Sequence, residues 1–274
     1  MILATACAIV YGTADFCGGL ATRRSRVLSV VVLSQTAGMI LVIALLPVLP
    51  GQASDGALLW GLAAGVAGVT GLVLFYRALA TGVMSVVAPT TAVTSAALPV
   101  LFGLVSGERP ALMAMIGVVL ALLSVLLVSR SPRGEGATSL SSMLVALAAG
   151  AGFGGFFILL AQAPEGSGMW PLLGARLASV SIVVVVAVTT RRSLKPSGGS
   201  MAIIAAAGLL DMAANVLYLL AEQRGLLSLV AVLVSLYPAS TLLLARYVLG
   251  ERLRAVQMAG VAFALGAVAL IAVA

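Results

Sequence analysis

Two aspartates interrupt stretches of chain that are otherwise apolar. Asp211 lies ten residues into the run 201–223, and Asp15 lies in the stretch YGTADF within the run 2–21. An acid at the centre of such a helix costs roughly 2.5 to 3.5 kcal/mol on membrane-insertion scales, so it must face a cavity or a partner. Asn215, Tyr218 and Glu222 follow Asp211 at i+4, i+7 and i+11, which places all four within about 60° of one helical face. Such a stripe is expected to line an aqueous path. Tyr11 precedes Asp15 by one turn on the same face. A carboxylate in a low-dielectric cavity is a place where a proton and an organic cation can compete. The plainer alternative is that either acid pairs with a buried arginine or hydrogen-bonds between helices. Arg176, about six residues into the run 170–190, and Arg77, near the end of the run 57–81, are the available partners. Arg176 is also a candidate contact for an anionic group, whereas Arg77 and Arg246 lie near enough to helix ends to reach the interface as anchors.

Prolines add a second kind of recognition element. Pro89 and Pro99 stand amid Thr90, Thr91, Thr94 and Ser95, and Tyr237-Pro238 stands between Ser235 and Ser240-Thr241. Each proline removes one N–H and frees a carbonyl four residues earlier, which hydroxyls, water or a ligand can then satisfy. Pro89, Pro99 and Pro238 are therefore expected helix breaks, with Thr94 and Tyr237 shaping the pocket between them. The alternative is that they kink a bundle and do nothing else.

These residues need helices to hold them. The chain has 274 residues, 62% hydrophobic and only 8% charged, with a mean hydropathy of +1.22. A soluble domain is nearer half apolar and a quarter charged, so the chain belongs in a bilayer. Ten apolar runs have the length that crosses a membrane as a helix: 2–21, 28–50, 57–81, 83–105, 111–129, 140–162, 170–190, 201–223, 227–249 and 255–274. The first run lacks a basic leader and reads as a retained helix. Cys7 and Cys17 lie ten residues apart in it, about 15 Å along a helix and too far for a disulfide.

Loops after odd-numbered helices carry ten basic residues (Arg23, Arg24, Arg26, Arg130, Arg133, Arg191, Arg192, Lys195, Arg252, Arg254), against Arg109 and Arg224 on the other side. The bias predicts a cytoplasmic location for the first set and non-cytoplasmic termini. It also explains the net charge of +7, because the basic residues are scattered through short loops and form no nucleic-acid-binding patch.

Sliding the chain by 143 residues aligns 75–131 with 218–274 without a gap, and 18 of 57 positions are identical. Gly107-Glu108-Arg109 falls on Gly250-Glu251-Arg252, and upstream, with small gaps, Gln35 falls near Arg176. Each repeat holds five helices, an odd number, so the second copy enters from the opposite side and the repeats are inverted. The expected fold is all-α integral membrane, ten transmembrane helices as two inverted five-helix repeats, with repeats at 1–131 and 140–274 joined by a linker at 132–139. Gly-Glu-Arg reads as a helix stop, with Gly ending the fourth helix of each repeat and Glu near the start of the fifth. Small-residue spacings, Gly61/Gly65/Gly68, Gly117/Ala121 and Gly260/Ala264, read as packing seams and secondarily as a dimer interface.

The stretches SLYPASTLLLARYVLGERLRAVQMAGVAFALGAVALI at 235–271 and ALPVLFGLVSGERPALMAMIGVVLALLSVLLV at 97–128 resemble the Pro-to-Gly-Glu signature of the drug/metabolite transporter superfamily, EamA type. The resemblance covers nearly the whole chain and implies ten helices in two repeats and a transport function. YGTADF is similar to that family's first-helix signature, and the position of Asp15 is similar to that of the first-helix acid of the related four-helix multidrug transporters.

No histidine is present, which removes imidazole acid–base chemistry and H-E-x-x-H zinc binding. The sequence calls for no cofactor and no metal, and no enzyme reading competes beyond an Asp15/Asp211 aspartyl dyad. Channel function would need rings of charges or carbonyls that the sequence lacks. The expectation is a cell-membrane transporter, inner or plasma, that exports a small amphipathic or amino-acid-like metabolite or drug, with protons as candidate coupling ion. A lipid-linked flippase or an uncoupled facilitator is the alternative. Its partners are the small-molecule substrate and the lipid bilayer, with no nucleic acid, as a monomer or homodimer. Asp15 and Asp211 carry recognition or coupling, with Arg176, Asn215, Tyr218, Tyr11, Tyr237 and Thr94 around them.

Overall fold

The structure, a computed structural model, describes residues 1–22, 24–81, 84–128, 140–191, 194–196, 199–249 and 255–273. The linker 132–139 and Gly250-Glu251-Arg252 lie outside them, as do the side chains of Arg77, Pro89, Pro238 and Arg246. The described residues form helices α1 (Ile2–Thr22), α2 (Val27–Leu45), α3 (Asp55–Thr81), α4 (Met84–Val105), α5 (Leu112–Val128), α6 (Leu140–Ala161), α7 (Trp170–Thr189), α8 (Met201–Glu222), α9 (Leu227–Val234), α10 (Tyr237–Leu249) and α11 (Ala255–Val273). Six of them, α1, α2, α3, α6, α7 and α8, are long and apolar enough to cross a membrane. The chain is a multi-pass membrane protein.

Local chemistry sets the ends of the helices. Ser54 accepts a hydrogen bond from the Ala57 N–H at 3.1 Å, the N-cap pattern that starts α3. Pro171 occupies the first turn of α7, where its missing N–H costs nothing. At the end of α4, Gly107 adopts φ +97, the Gly107 N–H reaches the Leu104 carbonyl at 3.2 Å, and the Glu108 N–H reaches the Gly103 carbonyl at 2.9 Å. This is a Schellman stop with glycine in the left-handed position. Gly therefore ends the fourth helix as its place in Gly-Glu-Arg predicts.

The repeats pack as inverted copies should. Exchanging one five-helix set for the other carries the α1/α8 contact into α3/α6, and α3/α7 into α2/α8. Three contacts, α2/α7, α4/α9 and α5/α11, map onto themselves. Close approach depends on glycine at matched places. A side chain on Gly65 would overlap the Ala175 backbone, and one on Gly208 would overlap the backbone of Ser34.

The expected helix breaks divide unevenly. The run 227–249 is split at Ser235 and Leu236, so Pro238 falls in the first turn of α10. Here the Leu236 N–H bonds the Leu233 carbonyl at 3.2 Å and the Ser235 hydroxyl bonds the Val232 carbonyl at 2.7 Å. Pro89 and Pro99, in contrast, lie within an uninterrupted α4 and are not helix breaks. A membrane helix tolerates proline where packed neighbours satisfy the freed groups, and α4 is packed along α6 and α9. The run 28–50 also ends early as helix, at Leu45, with turns through Leu49.

Candidate functional site

The charged centre joins α2, α7 and α8. Arg176 on α7 is buried, and its guanidinium is bonded to the Asp211 carboxylate on α8 and to the Gln35 carbonyl oxygen on α2. The Ser179 hydroxyl also donates to Gln35, at 3.1 Å. Asn215 donates its amide to the Asp211 backbone carbonyl at 2.8 Å and more loosely to the carboxylate at 3.4 Å. Its own carbonyl oxygen is buried without a hydrogen-bond partner. Arginine suits this place because its fork of donors serves a carboxylate and an amide together. Of the two roles open to Arg176, pairing with an acid is the one observed, and the acid is Asp211.

Across from this pair, α1 runs antiparallel to α8 and presents Cys7, Tyr11 and Asp15 at successive turns. The Cys7 thiol donates to the Ala214 carbonyl at 3.0 Å, which fixes the register between the helices. Tyr11 and Asp15 both lie within electrostatic reach of Asp211, and Tyr237 at the start of α10 lies within reach of Asp15. The rings of Tyr11 and Tyr237 approach to 6.4 Å at 54°. Gly12 brings α10 this close to α1: a side chain there would meet Ser240 at 2.5 Å and the Tyr237 carbonyl at 2.6 Å. The Thr241 hydroxyl donates to the Gly12 carbonyl at 3.1 Å.

Asp15 differs from Asp211 in one decisive respect. Its side chain is exposed, and no described residue hydrogen-bonds or ion-pairs with it. With Asp211 paired to Arg176, Asp15 is the acid of the cluster left without a partner among the described residues.

The remaining expected residues are held by other contacts. Tyr218 is fully buried; its hydroxyl donates to the Phe157 carbonyl at 3.1 Å and its ring lies 4.6 Å from that of Phe157. It closes one end of the α8 stripe and does not line an open path. Thr94 bonds back to the Thr90 carbonyl at 2.7 Å and packs where α6 approaches at Gly150. Gln35 was legible only as the repeat counterpart of Arg176, yet it is the residue that holds the guanidinium on its second side.

Glu108 is the other departure. It is not placed to serve the start of α5. Its two carboxylate oxygens accept the Leu227 N–H at 2.7 Å and the Ser228 N–H at 3.1 Å, so it caps α9 in the other repeat. A carboxylate on two free N–H groups at the positive end of a helix dipole is a charge-assisted cap. An apolar groove of about 330 Å³ lined by Met115, Ile116, Val119 and Leu120 offers no polar group for recognition.

The profile of the EamA-like transporter family matches residues 1–130 and again 140–273. No curated protein sequence matches the chain. A crystal structure described only as that of a protein superposes on it with a TM-score of 0.80 at 17% identity, covering 99% of this chain and 96% of that one. That likeness carries the fold.

Proposed function

Since the chain belongs to the EamA-like transporter family, we propose that it is a proton-coupled secondary transporter that exports small amphipathic amines or organic cations, with Asp15 as the group that exchanges substrate for proton. The observation that supports this reading is the exposed carboxylate of Asp15, unpaired among the described residues, beside an Asp211 already neutralised by Arg176. A cluster with one uncompensated negative charge in a low-dielectric setting favours one positive charge, and either a proton or a cationic substrate provides it. Competition for one site is sufficient for antiport. The rings of Tyr11 and Tyr237 beside it offer the apolar and cation–π surface that an amphipathic cation needs. Asp211 serves position: with Arg176 and Gln35 it ties α8 to α7 and α2.

Orientation follows from the loops. The basic face is cytoplasmic, both termini lie outside, and export carries substrate from the arginine-rich face to the other in a plasma or inner membrane.

The test is reconstitution into proteoliposomes with a pH-sensitive dye inside, offering pooled amines, amino acids and drugs under an imposed proton gradient. Wild type, Asp15→Asn and Asp211→Asn are compared. Substrate-dependent proton flux in wild type that Asp15→Asn abolishes supports the reading. Equilibration of substrate without proton movement in all three proteins overturns it in favour of a facilitator.

A further inference from the structure

The face opposite the arginine-rich loops is closed by contacts between the repeats. The Gln52 N–H donates to the Gly166 carbonyl at 2.9 Å, the Trp170 indole donates to the Gly51 carbonyl at 3.3 Å, and Gly51 and Gly168 leave each other no room for a side chain. The Glu108 cap on α9 is a further tie. Beneath it, Tyr218 and Glu222 on α8 are within electrostatic reach of Glu108, and Tyr218 is packed on Phe157. Along α8 this layer stands between that face and the level of Asp15. Beyond Asp15 toward the basic face, side chains built on Gly18 and Gly19 would meet nothing within 4 Å.

The segment α9 is a short helix of its own. It is eight residues long, every one buried, and it is separated from α10 at Ser235 and Leu236. The helix α10 is held to α1 by Gly12 and Thr241. Thus α9 has an articulation at its C-terminal end and is held at its N-terminal end by Glu108. Most helix caps come from the residue just before the helix; this one comes from 119 positions away, in the other repeat. Breaking it therefore removes one tie between the repeats without unwinding either.

We infer that Glu108 is the gating residue of its face: its carboxylate holds α9 against the first repeat, and Asp15 is reached from that face only when the bond is released. The inference concerns access alone and stands whether or not protons are coupled.

The two native cysteines report the two sides. Cys7 is fully buried on α1 against Ala214, in the half toward Glu108, and Cys17, partly exposed, lies two residues past Asp15 toward the basic face. Single-cysteine proteins (Cys17→Ser or Cys7→Ser) in lipid nanodiscs, where both faces are accessible, are labelled with a membrane-impermeant maleimide. Glu108→Gln is expected to raise the Cys7 rate by about tenfold, the scale of one lost charge-assisted hydrogen bond, while the Cys17 rate falls. Leu227→Pro repeats the test from the donor side. It removes the N–H that Glu108 binds, and Leu226 already has the extended φ −66, ψ 133 that a following proline requires. Opposite changes at the two cysteines in either variant support the gate. Unchanged rates in both variants, or both cysteines rising together as in unfolding, overturn it.

Discussion

Gln35 and Arg176 occupy equivalent positions in the two repeats, and they are hydrogen-bonded to each other. The equivalence is repeated one residue away, where Gly208 lies on Ser34 as Gly65 lies on Ala175. Two points that an approximate two-fold exchanges can touch only on its axis. The axis therefore passes through this bond, and in an inverted repeat it lies in the membrane plane near the middle. The charged cluster is at that depth. A symmetric pair would fail here: two arginines would repel across the axis, and two glutamines would leave Asp211 without a cation.

Arg176→Gln should destabilise the folded protein by about 2 kcal/mol. Removing one partner of a fully buried ion pair costs roughly 3 to 5 kcal/mol, and the value is discounted because the Asp211 side chain is 35% exposed. The double variant Arg176→Gln/Asp211→Asn should recover most of the loss. Thermal unfolding in detergent of wild type, both single variants and the double variant measures the coupling; additive losses would show that the pair does not hold the three helices.

Binding of a cationic substrate should strengthen as pH rises. The cation needs the ionised form of Asp15, which the proton removes, so acidification weakens binding and alkalinisation restores it, as competition for one site requires. Equilibrium binding from about pH 6 to about pH 8 tests the sign. Asp15→Asn should bind weakly with no dependence on pH, and a pH dependence that survives in that variant would move the exchange site elsewhere.

Gly12→Ala should separate α10 from α1. The added carbon would fall 2.5 Å from Ser240 and 2.6 Å from the Tyr237 carbonyl, and backbone cannot yield as a flexible side chain does. A cost of roughly 1 to 3 kcal/mol is expected for such overpacking, together with loss of the Tyr11/Tyr237 approach and of transport. Gly18→Ala, with open space around it, should leave both unchanged. Melting temperature and substrate uptake of the two variants decide the matter.

A C-terminal alkaline phosphatase fusion should be active and a C-terminal green fluorescent protein fusion dark if the proposed orientation, drawn from ten basic loop residues against two, holds. The reverse pattern would invert the assignment of faces, and with it the direction of export.

The architecture was legible because hydropathy and an inverted repeat are global signals that survive local ambiguity. The site was legible only in part. Asp15 and Asp211 announced themselves as acids in apolar helices, but which of them is paired depends on Arg176, 35 residues from Asp211 and 141 from Gln35, and no local pattern records such distances. Glu108 shows the same limit. Its neighbour Gly107 ends α4 by backbone conformation, a local matter, whereas its carboxylate serves a helix in the other repeat. The prolines teach a third lesson: Pro238 stands beside a real interruption, within a turn of its position, while Pro99 lies inside an unbroken α4, whose packed neighbours can satisfy the freed groups.

The helices also differ in reach. At 1.5 Å per residue, the 27 residues of α3 extend about 40 Å and the 20 of α7 about 30 Å, against a hydrocarbon core of about 30 Å. The two helices are packed together, so α3 must tilt or stand proud of the hydrocarbon where α7 need not. Any change of that tilt changes the mismatch, at fractions of a kcal/mol per Å. Acyl-chain length of the surrounding lipid is thereby expected to act on the fold as a thermodynamic variable of its own.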